Sequence, residues 1–69
     1  MNRTPVNSSN IVSYGYDVRT SILEVEFTGG NVYRYLDVPM GIWQKFQAAE
    51  SKGTFFTQNL RAAYTTRKV

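Results

Sequence analysis

Residues 21–30, SILEVEFTGG, constrain the fold of this chain more than any other stretch. Leu23, Val25 and Phe27 alternate with Glu24, Glu26 and Thr28, the period of two that gives a strand one apolar and one polar face. Wound as a helix, the same residues would spread their apolar side chains around the cylinder. Gly29 and Gly30 follow, and glycine's tolerance of positive φ makes TGGN a hairpin turn. VYRYLDV (32–38) is then the returning strand. Upstream, NIVSYGYDV (10–18) is rich in β-formers and sets Val12, Tyr14 and Tyr16 on one face. Gly15, between two tyrosines, predicts a bulge or the close approach of another backbone. DVRTS is a turn, so the first half of the chain reads as a three-stranded antiparallel meander.

Pro39 ends the third strand and suits the first turn of a helix, where its missing N–H costs nothing. Ile42, Trp43, Phe46 and Ala49 form the stripe of that helix. Ser-Lys-Gly at 51–53 breaks it, and Ser51 or Thr54 supplies the cap of a second helix, whose stripe is Phe56, Leu60 and Ala63 or Tyr64. TTRKV is a basic tail, either frayed or docked on a sheet edge. The expected fold is α+β: a three-stranded antiparallel β-meander followed by two helices packed on one face (βββαα). Residues 1–7 read as a flexible N-terminal arm and 8–69 as one domain.

A chain of 69 residues is near the lower limit for folding without a disulfide or metal. It has no cysteine and no histidine, which removes disulfides and the usual zinc sites. Its core must come from aliphatic residues, one Trp, four Phe and five Tyr. A homodimer is a second source of buried area, and the sequence leaves monomer and homodimer both open. The first ten residues lack the apolar centre of a signal peptide, and no apolar run approaches a membrane span. The expectation is a soluble cytoplasmic protein with no membrane partner.

The hairpin admits two registers, and they place the tyrosines on opposite faces. A two-residue turn at Gly29-Gly30 pairs Phe27 with Val32 and Glu26 with Tyr33, exposing Tyr33 and Tyr35 beside the glutamates. A three-residue loop over 29–31 pairs Phe27 with Tyr33 and gathers Leu23, Val25, Phe27, Tyr33 and Tyr35 on one face. The second is expected, because a chain this small needs all five side chains for its core. It also leaves Glu24, Glu26 and Arg34 together on the outer face, where opposite charges on neighbouring strands are favourable.

No catalytic residues, metal ligands or cofactor follow from the residues. Glu24 and Glu26 share a face, as acid–base chemistry requires, but alternating carboxylates are the ordinary solvent side of a sheet. Ser-Lys-Gly-Thr at 51–54 could offer helix N–H groups and Lys52 to a phosphate; a helix break with its cap is the expected role.

The net charge of +3 is unevenly spread. Residues 1–44 set Arg3, Arg19 and Arg34 against Asp17, Glu24, Glu26 and Asp37, whereas residues 45–69 set Lys45, Lys52, Arg61, Arg67 and Lys68 against Glu50. Small nucleic-acid modules join aromatic rings for stacking to cations that follow the backbone. Lys52, Arg61, Arg67, Lys68 and Arg34 are therefore the candidate contacts to RNA or single-stranded nucleic acid. The alternative is a module that binds a protein partner through an aromatic patch or strand edge.

SNIVSYGYD, LEVEFTGGNVYRYLDVP and SKGTFFTQNLRAAY, in that order, resemble the KTSC domain, a short bacterial and phage-borne domain named for its occurrence at the C-terminus of some lysyl-tRNA synthetases. The resemblance spans roughly residues 8–69. It rests on Tyr33-Arg34-Tyr35 followed by Val38-Pro39, on Gly15-Tyr16-Asp17, and on the run from Ser51 to Phe55 and Phe56. It implies no catalytic residues, assigns these motif positions to structure, and suggests RNA through the synthetase context. Basic residues crowd the last segment of such domains; here Ala62 and Ala63 stand between the cations.

Overall fold

A computed structural model of the protein describes residues 3–6 and 8–69. Among the described residues seven elements follow one another: β1 (Thr4–Pro5), β2 (Ile11–Asp17), β3 (Ile22–Phe27), β4 (Val32–Tyr35), α1 (Met40–Ala48), α2 (Lys52–Asn59) and β5 (Thr66–Lys68). The strands form one antiparallel sheet in the order β1-β2-β3-β4-β5. The class is α+β as expected, but the sheet has five strands where three were expected. The two additions are short edge strands whose sequences carry no apolar alternation. Thr4 and Pro5 pair with Tyr14 and Ser13, so part of the expected arm is the outermost strand; Met1, Asn2 and Asn7 of that arm lie outside the described residues. The tail docks: Thr66, Arg67 and Lys68 pair with Tyr35, Arg34 and Tyr33.

The hairpin register keeps the expected faces with a different pairing. Val25 pairs with Tyr33 and Leu23 with Tyr35, two residues along from the three-residue-loop register. The loop is Thr28-Gly29-Gly30, closed by bonds from the Phe27 N–H to the Asn31 carbonyl (2.8 Å) and from the Gly30 N–H to the Phe27 carbonyl (3.1 Å). Gly29 and Gly30 take φ of 101° and 89°, and a positive value at the third turn position is what a type II turn demands. A shift of two preserves the faces because side chains alternate with a period of two.

β2 departs from the expected alternation at its start. Ile11 pairs with Phe27 but Ser13 pairs with Glu26, so the strand carries a bulge at Val12. The extra residue turns Val12 outward, 43% exposed, and puts Ile11 into the core with Tyr14. Gly15 pairs regularly with Glu24 and is not the bulge.

The core is one layer between sheet and helices, centred on Ile11, Leu23, Val25, Val38, Phe46 and Leu60, with Tyr14, Tyr35 and Phe56 around them. Edge-on aromatic contacts join the layers: Tyr14 to Phe46 at 5.0 Å and Tyr35 to Phe56 at 5.2 Å between ring centroids. Tyr16 stacks on Trp43 at 5.1 Å. Such pairs add to area burial, which matters in a chain with so little interior. Pro39 is the N-cap of α1, and its carbonyl receives the Ile42 and Trp43 N–H groups. Ser51 caps α2 by accepting from the Thr54 N–H at 3.2 Å. The helix stops at Asn59 with Leu60 as its C-cap; Phe56 and Leu60 are buried, Ala63 is exposed, and Tyr64, past the helix, is half-buried against the core.

Candidate nucleic-acid interface

The five candidate cations do not share one face. Register places Arg34 opposite Arg67 and Tyr33 opposite Lys68. Because Tyr33 faces the helices, Lys68 lies on the helix side of the sheet, while Arg34 and Arg67 project from the uncovered side. Arg61 lies just past α2 and lines a cleft of about 310 Å³ with Phe27, Phe56 and Thr57. Its guanidinium also reaches the surroundings of Tyr35: burial raises the Tyr35 hydroxyl above its usual pKa, Tyr33 adds to the rise, and Arg61 opposes it. Lys52 stands apart. Its Nζ donates to the Gln47 and Ala49 carbonyls at 3.1 and 3.3 Å, closing the C-terminal end of α1 where a cation is favoured. The 51–54 segment is thus a helix break with its cap, and Lys52 is directed at α1.

Four of the five cations therefore surround the β4–β5 edge, Arg34 and Arg67 on one side and Lys68 and Arg61 on the other. Tyr33 stands opposite Lys68 on the helix side. Its ring is half-buried and meets Phe27 edge-on at 5.9 Å, so one part is anchored in the core while the rest reaches the surface. Tyr35, two residues on, is buried against Phe56. The Tyr-x-Tyr motif splits into one core ring and one rim ring.

The uncovered face of the sheet differs from the expected solvent side. Glu24 is only 7% exposed. Arg34 Nε donates to Glu24 Oε1 at 2.9 Å, and Arg3 Nε approaches Glu24 Oε2 at 3.4 Å. Arg3 also meets Glu26 Oε1 at 3.6 Å, and the Ser13 hydroxyl donates to that oxygen at 3.0 Å. Arg3 belongs to the N-terminal segment and Glu24 to β3, so the arginine must cross β2. It can do so because Gly15, the partner of Glu24 on β2, has no side chain to stand between them. Sequence reasoning missed Arg3 because nothing local marks it; the signal that existed was Gly15 beside an acidic strand.

The remaining motif residues brace the frame. The Tyr16 hydroxyl donates to the Val38 carbonyl. The Asp17 carboxylate accepts from the Arg19 N–H at 3.0 Å and the Asp17 carbonyl from the Ser21 N–H at 2.8 Å, setting the β2–β3 turn. Phe55 meets Phe46 at 5.9 Å, and Phe56 is buried. Among the described residues there is no group of three or more His, Cys, Asp or Glu that could hold a metal ion, and no helix is long and apolar enough to cross a membrane.

Comparison with known proteins matches the KTSC domain family model over residues 7–64. An uncharacterized protein of Stutzerimonas stutzeri (strain A1501) is 45% identical over 58 residues, covering 84% of this chain and 82% of that protein. The lysine–tRNA ligase of Trichormus variabilis is 34% identical over 56 residues, which make up 81% of this chain and only 10% of the ligase. The crystal structure of a KTSC domain protein from Yersinia pestis superposes with a TM-score of 0.93 at 42% identity, covering 99% of this chain and 96% of that one. With the Tyr33-Arg34-Tyr35 strand, the Gly15-Tyr16-Asp17 strand and the Ser51-capped helix in place, the chain belongs to the KTSC domain family.

Proposed function

We propose that this chain is a non-catalytic module that binds single-stranded RNA across its β4–β5 edge. The observation that carries the reading is Tyr33, a rim aromatic with Lys68 directly opposite and Phe27, which shares a cleft with Arg61, at its side. A base stacks on the ring while the phosphates on either side meet the two cations, the combination that single-strand binders use. The likeness to a segment of lysine–tRNA ligases, enzymes whose name puts tRNA among their substrates, supports RNA as the polyanion.

The test is fluorescence anisotropy with a mixed-sequence single-stranded RNA at several salt concentrations. Binding weakens with salt, and Lys68→Ala or Arg61→Ala each lowers the slope of log K against log salt by about 0.7. Tyr33→Leu, which keeps an apolar side chain at the rim, weakens binding about 5-fold to 150-fold through loss of stacking. Absence of binding at micromolar protein and low salt overturns the reading.

A second reading, a protein-interaction module, has the outer edge of β5 in its favour. Thr66, Arg67 and Lys68 are all exposed there, and an extended segment can add to such an edge. Co-purification of a protein partner that survives nuclease treatment would select this reading.

A further inference from the structure

We infer that Arg34 and Arg67 together form a phosphate-binding site on the uncovered face of the sheet. The inference deepens the RNA reading by naming where a phosphodiester is anchored, and it rests on that reading only for the source of the phosphate.

The site is part of a row. Gly15 pairs with Glu24, Glu24 with Arg34, and Arg34 with Arg67, so four residues stand side by side across β2 to β5 on one face. The first position is empty of side chain, the second is a carboxylate, and the last two are guanidinium groups. Two like charges directly opposite on paired strands repel, and in a ladder their Cα atoms are only roughly 5.5 Å apart. The row does contain a carboxylate, but it is already shared. Glu24 takes Arg34 on one oxygen and Arg3 on the other, while Glu26 takes Arg3 and the Ser13 hydroxyl. Among the described residues, no carboxylate lies within ion-pair distance of Arg67.

Glu24 does more than neutralise Arg34. It binds Nε at 2.9 Å, and a guanidinium fixed through Nε is held in one orientation with its terminal N–H groups left to donate elsewhere. Glu24 is buried and held between two arginines, so the orientation is fixed before any ligand arrives. The guanidinium fork matches phosphate oxygens in pairs. Arg34 presents this pre-set fork, and Arg67, exposed on the edge strand, closes on the same group from the other side. One phosphate charge then offsets the unpaired guanidinium and relieves the repulsion across the β4–β5 ladder. Glu24 acts as a positioning residue and Arg34 and Arg67 as the ligand contacts.

The test follows the arginine Nε–Hε resonances of the labelled protein by NMR during titration, first with inorganic phosphate and then with the mixed-sequence RNA. Saturable shifts of Arg34 and Arg67 with a common midpoint, with Arg19 unmoved as an exposed control, support the site. Arg67→Ala then removes the phosphate-induced shift of Arg34, and Arg67→Lys restores part of it. Glu24→Gln weakens phosphate binding although it removes a negative charge, which simple electrostatics would not produce. If that variant fails to fold, the Arg67 pair, altered at an exposed edge residue, decides alone. Shifts that do not saturate, that are equal at Arg19, or that survive at Arg34 in Arg67→Ala overturn the site. The RNA arm separates the two readings. Phosphate shifts without RNA binding keep the site and remove the nucleic-acid reading. RNA binding with Arg34 and Arg67 silent in both titrations removes the site and leaves RNA to Lys68 and Arg61.

Discussion

The Tyr16 hydroxyl donates a hydrogen bond to the Val38 carbonyl, tying the end of β2 to the segment that carries the chain from β4 into α1. The same segment is held from the other side, where the Val38 N–H donates to the Ser21 carbonyl at 2.9 Å. Val38 itself is buried. Both backbone groups of a core residue are thus satisfied by the β2–β3 end of the sheet, and α1 begins two residues later from a fixed point. The entry of the first helix is set by a strand residue far away in sequence.

Tyr16→Phe tests that tie. The ring and its stacking on Trp43 remain, and only the hydroxyl is lost. A hydrogen bond of this kind contributes about 1 kcal/mol net, so the urea midpoint should fall while the m-value stays the same. An unchanged midpoint would mean that water replaces the hydroxyl at no cost.

Ile11 and Val12 test the bulge. Ile11 is fully buried and Val12 faces solvent, the reverse of what strict alternation through Tyr14 gives. Ile11→Ala should cost about 2–5 kcal/mol. Val12→Ala, on the exposed side, should stay within about 0.5 kcal/mol. Equal losses at the two positions, measured by urea unfolding monitored by circular dichroism, would refute the assigned register.

Gly29→Ala isolates a backbone effect. Nothing lies within 4 Å of the Cβ it would add, yet φ is 101°. Any destabilisation therefore comes from conformation alone, and positive φ costs an L-residue about 1–2 kcal/mol. The thermal midpoint should fall with no change in the core's near-ultraviolet circular dichroism.

Tyr35 sets an alkaline limit. Its pKa is raised in the folded protein, first by burial and then by Tyr33, so the folded state holds the phenol proton more tightly than the unfolded chain does. The stability linked to this group is complete below the unfolded value near 10 and is lost as pH rises through the folded value. Urea midpoints should decline above about pH 10, and Tyr35→Phe should flatten that decline. A decline of the same steepness in Tyr35→Phe would assign it to other groups.

Much of the frame was legible in the chain. The Leu23–Val25–Phe27 alternation, the paired glycines and Pro39 determine the hairpin, its apolar face and the start of α1, because each acts through neighbours only a few residues away. The burial of Tyr35 followed from the same alternation once the helices needed a face to cover. Of the short edge strands, Thr4–Pro5 was not legible, and docking of the tail was only one of two alternatives. Neither Thr4–Pro5 nor Thr66–Lys68 carries an apolar alternation, and they are strands because β2 and β4 offer unsatisfied backbone groups to pair with. The bulge at Val12 likewise arises from pairing with β3 and has no local signal. Charge tells the same story. Composition marked a basic C-terminal half, but a pairing register decided that Arg67 and Lys68 lie on opposite faces, and packing committed Lys52 to the end of α1. It was also tertiary structure that brought Arg3 across Gly15 to a buried Glu24, since such a contact depends on which strands are neighbours rather than on any residue's own preference.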